Sequence, residues 1–214
     1  MKIDTILFDF DGTLVDTKHD VWDALNFTRK QIGLLPFNEE EVTGVLGPGK
    51  TEFLELVYPD GSEDEKEAFL AKFQAYYFER CLVKTRFYSG MESVLQSLSH
   101  KTLAVASNKP RAFIEKILKG LHADHLFSFI ISPEDVNFTK PHPEMVLKAI
   151  TALHAVPERT LLVGDTEKDM FAGRAAGVAV CWADYGYGNK DRLGETVPDF
   201  SIQTPDGLLA VLNA

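Results

Sequence analysis

The sequence predicts an α/β protein: a doubly wound, mainly parallel, Rossmann-like sheet with a small inserted α-helical cap. Three observations lead there. Short apolar runs alternate with amphipathic stretches of helical period through most of the chain. One long stretch near the start, from about Val15 to Lys84, shows helical spacing only and interrupts that alternation. Chemistry-bearing residues fall just after several of the apolar runs, where parallel sheets gather their sites.

Taken in order, Ile6 to Phe10 makes the first strand. The helical stretch follows. Trp22, Leu25, Arg29 and Ile32 line one helix with an apolar stripe beginning at Val21, Phe53, Leu54 and Val57 mark a second, and Phe69, Leu70, Phe73, Tyr76 and Tyr77 a third. The aromatics of the third are expected in the cap's own core. Turns are signalled at Gly33 to Pro36, Gly47-Pro48-Gly49 and Pro59-Asp60-Gly61. Alternation resumes after Tyr88-Ser89-Gly90. A helix over Met91 to Leu98 leads to a strand at Thr102 to Ala106, then a helix at Pro110 to Lys119 and a strand at Phe127 to Ile131. Helix Pro143 to Leu153, strand Thr160 to Val163, helix Lys168 to Ala176 and strand Val178 to Trp182 continue the pattern. Phe200 to Ile202 reads as an edge strand before a last helix near Leu208 to Leu212. The expected division is an α/β core of residues 1–14 and 86–214 with a helical cap of residues 15–85.

A chain of 214 residues can hold one core and a modest accessory unit. Asp and Glu total 32 against 22 Lys and Arg, and the net charge of -10 disfavours nucleic acid and anionic membranes as partners. No apolar stretch approaches a membrane span, and Met1-Lys2-Ile3-Asp4 carries no signal-peptide pattern, so a cytoplasmic protein is expected. Cys81 and Cys181 lack metal-like spacing and read as free thiols.

The chemistry begins at Asp9-Phe10-Asp11-Gly12-Thr13. Two carboxylates two positions apart on extended backbone point to the same side. Carboxylates beside so much apolar sequence need pairing, hydrogen bonds or a metal. Asp9 is placed to attack phosphorus, and Asp11 to protonate a leaving oxygen and then activate water. Gly12 permits a turn whose amides face a phosphate. Asp11 as a plain helix cap is the alternative. Ser107 and Asn108 follow the strand at Thr102, where they either bind phosphate or simply cap a helix. Lys140, stiffened by Pro141 and Pro143, is placed to neutralise nucleophile and phosphoryl charge. Gly164-Asp165 ends another strand, with Asp169 four residues later to ligate through water or to hold Lys140. Asp165 with Asp9 and a backbone oxygen at Asp11 makes an oxygen-only donor set that favours Mg²⁺.

Together these residues resemble the haloacid-dehalogenase-like hydrolases, specifically their phosphatase branch. Asp9-Phe10-Asp11-Gly12-Thr13 matches the first motif, Ser107 the second, Lys140 the third, and Gly164-Asp165 with Asp169 the fourth. The resemblance implies Asp9 as nucleophile, Asp11 as general acid/base, and Ser107 and Lys140 on the phosphoryl group. It implies Mg²⁺ bound by Asp9, the Asp11 carbonyl and Asp165, with Asp169 in support. Dehalogenases and phosphonate-cleaving relatives lack the equivalent of Asp11, so an oxygen leaving group is expected. Leu14-Val15-Asp16-Thr17, Ser107-Asn108-Lys109-Pro110, Lys140-Pro141-His142-Pro143, Arg174-Ala175-Ala176-Gly177 and Tyr185-Gly186-Tyr187-Gly188 look like phosphoglycolate phosphatases. The expected partner is therefore a small phosphorylated metabolite, 2-phosphoglycolate first, with Lys50 in the cap turn pairing a substrate carboxylate. A phosphosugar mutase or phosphatase, or a pyrophosphatase, is the alternative within the enzyme class. A non-catalytic phosphate-binding domain is the alternative outside it. Either a monomer or a homodimer fits the sequence.

Overall fold

The structure, a computed structural model, describes residues 2–213. Strands β1 (Thr5–Phe8), β4 (Thr102–Ala106), β5 (Phe129–Ile131), β6 (Thr160–Gly164), β7 (Ala179–Ala183) and β8 (Phe200–Ile202) form one six-stranded sheet. Its order is β5-β4-β1-β6-β7-β8, and every neighbouring pair is parallel. Thr5 lies level with both Thr102 and Thr160, so β1, β4 and β6 end side by side. The chain builds outward from β1 to β4 and β5, then returns to β6 on the other side. That reversal opens a crevice at the carboxyl ends of the central strands.

Both faces of the sheet are covered, which is why its strands read as continuous apolar runs. Ile6, Phe8, Leu103 and Val105 face a core completed by α5 (Met91–Ser97) and α6 (Arg111–Gly120). Leu7, Ala104 and Leu162 face the opposite core with α7 (Glu144–Ala152) and α8 (Glu167–Ala175). A last helix, α9 (Gly207–Asn213), places Leu208 on the first of these cores.

The helical insert hangs from two short strands, β2 (Val15–Asp16) and β3 (Arg86–Phe87), paired antiparallel. Between them run α1 (Lys18–Gln31), α2 (Glu39–Thr43), α3 (Lys50–Val57) and α4 (Glu63–Arg80). Asp20 near the start of α1 is buried and accepts from the Lys84 and Thr85 amides and the Thr85 hydroxyl at 2.9 to 3.0 Å, tying the outgoing linker to the incoming one. Helix α4 starts at a capping box in which Ser62 and Glu65 satisfy each other's backbone amides. Its Phe69, Phe73 and Tyr77 are buried in the core shared with Val21, Ala24 and Leu25 of α1, while Tyr76 stacks outside on Phe27 at 3.8 Å. Helix α2 and the β2–β3 pair were not anticipated. Five and two residues are too short to show a period, although Asn38 and Glu41 spell a second capping box.

Candidate active site

Asp9 is the first residue beyond β1, Ser107 the first beyond β4, and Asp165 the first beyond β6. Level strand ends therefore bring three of the expected residues to one place. Lys140 arrives from the loop after β5. It is buried, and its Nζ lies 2.9 Å from Asp9 Oδ1, 2.5 Å from Asp169 Oδ1 and 2.7 Å from the Ala106 carbonyl. Burial pulls the Lys140 ammonium toward neutrality, but the Asp169 and Asp9 carboxylates outweigh that pull and hold it charged above its ordinary range.

Asp169 spends its oxygens on this arrangement. Oδ1 meets Lys140, and Oδ2 accepts from the Thr166 amide at 3.1 Å and hydroxyl at 2.7 Å, closing the capping box of α8. Helix α8 begins after Asp165, so the two aspartates do not share a helix face. One directly follows a strand while the other occupies the helix's first turn. Asp165 Oδ1 accepts from Thr13 Oγ1 and Oδ2 from the Tyr187 amide, both at 2.8 Å.

Asp9, Asp165 and Asp169 are all buried and bring carboxylate oxygens within 4.8 Å of one another. Three carboxylates face the single Lys140 ammonium, and Asp9 Oδ1 accepts no hydrogen bond of ordinary geometry. Burial first, then the Asp9 and Asp169 charges, push Asp165 well above the usual carboxylate range. Burial also raises Asp169, against the pull of Lys140. Excess buried negative charge with oxygen donors alone fits a divalent hard cation.

Asp11 stands apart from that cluster. Its Oδ1 accepts from Thr17 Oγ1 at 2.6 Å, and Lys109 Nζ reaches Oδ1 at 2.9 Å and Oδ2 at 3.0 Å. Gly12 has φ +84°, and a Cβ there would lie 2.3 Å from Asp165 Oδ2, so the turn needs glycine. Its amide donates to the Val15 carbonyl at 3.0 Å and is not free for a phosphate. Ser107 Oγ is buried and accepts from the Lys109 amide at 3.3 Å. The Asn108 side chain is occupied by backbone: it accepts from the Lys140 amide and donates to the Lys140 and Gly47 carbonyls, each at 3.0 Å. It fastens the Lys140 loop to the insert. Lys50 reaches the cleft from α3, but its ammonium is exposed and paired with Glu67 at 2.6 Å.

Three contributors were missed as site residues. Thr13 and Tyr187 hold Asp165, and Lys109 holds Asp11. Tyr187 Oη also donates to Asp16 at 2.7 Å and accepts from the Thr17 amide at 2.8 Å, joining the loop after β7 to the root of the insert. Gly188 lets this loop lie against Asp165, since a Cβ would lie 1.8 Å from the Asp165 carbonyl oxygen and 3.0 Å from the Trp182 ring. The signals were present: a lysine two residues past a strand-end serine, and a tyrosine between glycines. Each also reads as ordinary turn chemistry.

A cleft of about 1080 Å³ opens between the insert and the strand ends. Asp9, Asp11 and Ser107 form its floor, and Leu46, Phe53 and Leu70 belong to its mostly apolar roof. No helix among the described residues is long and apolar enough to cross a membrane.

Comparison with known proteins agrees with this arrangement. The chain matches the family model for haloacid dehalogenase-like hydrolases over residues 6–183. It is 35% identical to a phosphoglycolate phosphatase of Aquifex aeolicus, over 97% of this chain and 96% of that one. It is 31% identical to an N-acetylmuramic acid 6-phosphate phosphatase of Pseudomonas aeruginosa, over 100% and 96%. The fold superposes on the crystal structure of a predicted phosphoglycolate phosphatase from Haemophilus somnus with a TM-score of 0.92, covering 99% and 98% of the two chains at 28% identity. Family match, near full-length relatives and a buried aspartate cluster at the strand ends lead to one conclusion: the chain belongs to the haloacid dehalogenase-like hydrolases, as an enzyme of their phosphatase branch.

Proposed function

We propose that the chain is a Mg²⁺-dependent phosphomonoester hydrolase working through an aspartyl-phosphate on Asp9, with 2-phosphoglycolate or a similarly small phosphate as substrate. The observation that carries the mechanism is the setting of Asp9: a buried carboxylate at a strand end, its Oδ1 ion-paired with Lys140 at 2.9 Å and its oxygens grouped with those of Asp165. An Asp9 oxygen attacks phosphorus, the bond to the leaving oxygen breaks, and Asp11 gives its proton to the departing alkoxide. Asp11 then takes a proton from the water that attacks Asp9-phosphate, releasing inorganic phosphate and restoring the Asp9 carboxylate and the protonated Asp11. Lys140 and the Ser107 hydroxyl offset the charge of the phosphoryl oxygens. Asp9, Asp165 and the Asp11 carbonyl would hold Mg²⁺, which when bound supplies the positive charge that lets an anionic nucleophile approach an anionic phosphate. The helical insert, taken as a cap over residues 15–85, would shield the reaction from bulk water.

The 2-phosphoglycolate reading draws on the Aquifex relative's printed activity. A bulkier phosphate, such as a sugar phosphate, is favoured by one observation: the cleft is about 1080 Å³, and its Lys50 is already paired with Glu67. The test is kcat/KM for Mg²⁺-dependent phosphate release from 2-phosphoglycolate, sugar phosphates, nucleotides and pyrophosphate, with Asp9→Asn as blank. A preference for 2-phosphoglycolate, lost in the blank, supports mechanism and substrate together. Preference for a sugar phosphate keeps the mechanism and replaces the substrate. Undiminished activity in Asp9→Asn would remove the nucleophile assignment.

A further inference from the structure

Lys140 has an evident role in the chemistry just described, but a second buried lysine does not. Lys109 Nζ is nearly as enclosed as Lys140 Nζ, and it contacts three oxygens: both of Asp11, at 2.9 and 3.0 Å, and the Tyr77 phenol, at 3.0 Å. Lys109 belongs to the loop after β4, in the core. Tyr77 belongs to α4, the longest helix of the insert. The ammonium also lies 4.8 Å from the Tyr77 ring centroid, so phenol and ring face the same charge. Removing a lysine from water is costly unless its donors are used, and here they are spent on linking the insert to Asp11.

The insert reaches Asp11 by a second route. Thr17, at the start of α1, donates its hydroxyl to Asp11 Oδ1 at 2.6 Å. The Asp11 side chain is therefore oriented by one residue at the root of the insert and by a lysine whose remaining hydrogen bond goes to Tyr77 in the insert's α4. The loop carrying Lys109 meets the insert again one residue earlier, where Asn108 donates to the Gly47 carbonyl. A rigid shift of α4 against the core would move Tyr77 relative to Lys109, and Asp11 would lose or change its aim.

We propose that Lys109 and Tyr77 are positioning residues that make the aim of Asp11 depend on how the insert is seated. The proposal rests on Asp11 acting as the proton donor to the leaving group. Neither residue touches the phosphoryl group in this scheme. They act through Asp11, and the enzyme protonates a leaving oxygen only when the insert is docked. An empty, unseated cleft would then hold a nucleophile without a working acid.

The leaving group separates this role from a purely structural one. An alkyl phosphate needs a proton as its alkoxide departs, whereas p-nitrophenyl phosphate departs as a stable anion without one. The experiment is rapid-quench trapping of Asp9-phosphate in the first turnover. It compares p-nitrophenyl phosphate with the alkyl phosphate that the intact enzyme turns over fastest, in the parent, Asp11→Asn, Tyr77→Phe and Lys109→Met. Tyr77→Phe removes one oxygen and keeps the ring against Phe73 and Phe113, at 5.7 and 5.0 Å between centroids, so folding is preserved. Phosphorylation by the alkyl ester is expected to slow about tenfold or more in Tyr77→Phe and further in Lys109→Met, with about threefold or less for p-nitrophenyl phosphate. KM for both esters is expected to stay near the parent value. In Tyr77→Phe/Asp11→Asn, the phenol's loss is expected to add nothing beyond Asp11→Asn. Equal slowing of both esters by Tyr77→Phe, or a rise in KM alone, overturns the proposal while leaving Asp11 as the acid. Asp11→Asn slowing both esters equally overturns the acid assignment itself, and the proposal with it.

Discussion

The strand-end floor of the cleft and the helical roof above it hold their polar groups in different ways. On the floor, Lys140, Asp165 and Asp169 are buried and fixed by partners drawn from four separate loops. On the roof, Lys50 and Glu67 form an ion pair in which both side chains are more than half exposed, set among apolar residues. Buried, mutually dependent charges define one geometry, and changing one leaves the others uncompensated. Exposed pairs contribute little and exchange readily. Under the proposed function, the reaction belongs to the sheet and the choice of leaving group to the insert.

The sharpest way to break that comparison is to disturb the floor. Lys140→Met leaves Asp9, Asp165 and Asp169 without their ammonium. It is expected to lower kcat by about 10²–10³-fold and to cost about 3–5 kcal/mol of stability, read from steady-state kinetics and denaturant unfolding. A loss below about tenfold in kcat would mean the floor tolerates change as the roof does.

A second test uses the raised carboxyl groups. Asp165 titrates in the native state above its unfolded value of about 3.9, so the native state binds more protons between the two values. Without a cation, its contribution to stability therefore falls as pH rises through that window, and Asp169 acts in the same direction. A bound divalent cation offsets the ionised cluster only once those protons have left. The rise in Tm on adding Mg²⁺ is expected to be larger at about pH 7.5 than at about pH 5. An equal rise at both values would place the cation away from the cluster.

The smallest effect belongs to the roof. Glu67→Gln frees Lys50, and KM for 2-phosphoglycolate is expected to fall by about threefold while KM for a sugar phosphate without a carboxylate stays unchanged. Stability should move by less than about 0.5 kcal/mol. A fall in both KM values would show that Glu67 repels phosphate in general and that Lys50 does not read a carboxylate.

The same contrast explains what could be read from the sequence. Asp9, Ser107 and Asp165 were legible because each follows an apolar run, and parallel strands of equal register must bring their ends together. Lys140 was legible through its prolines and its place in the motif order. Lys109 was not, because its meaning depends on Tyr77, thirty-two residues earlier in a different structural unit. Asn108 reads as a substrate contact in the sequence because a strand-end amide suits phosphate, and only the folded chain shows that amide occupied by Gly47 and Lys140. Local pattern carries what one strand or helix does, while long-range pairing carries what a loop side chain does.

The Gly188 contact has a practical consequence. The chain has two tryptophans, one in each half. Trp182 lies buried beneath the loop that holds Asp165, with its ring against Gly188. Trp22 lies in α1 of the insert, where its indole donates to the Phe37 carbonyl at 2.8 Å. Replacing Trp22 with Phe leaves a single indole emitter beside the acidic cluster, and replacing Trp182 leaves one in the insert. The molecule thus carries its own pair of spectroscopic reporters, so loading of the floor and seating of the roof can be timed separately without an attached dye.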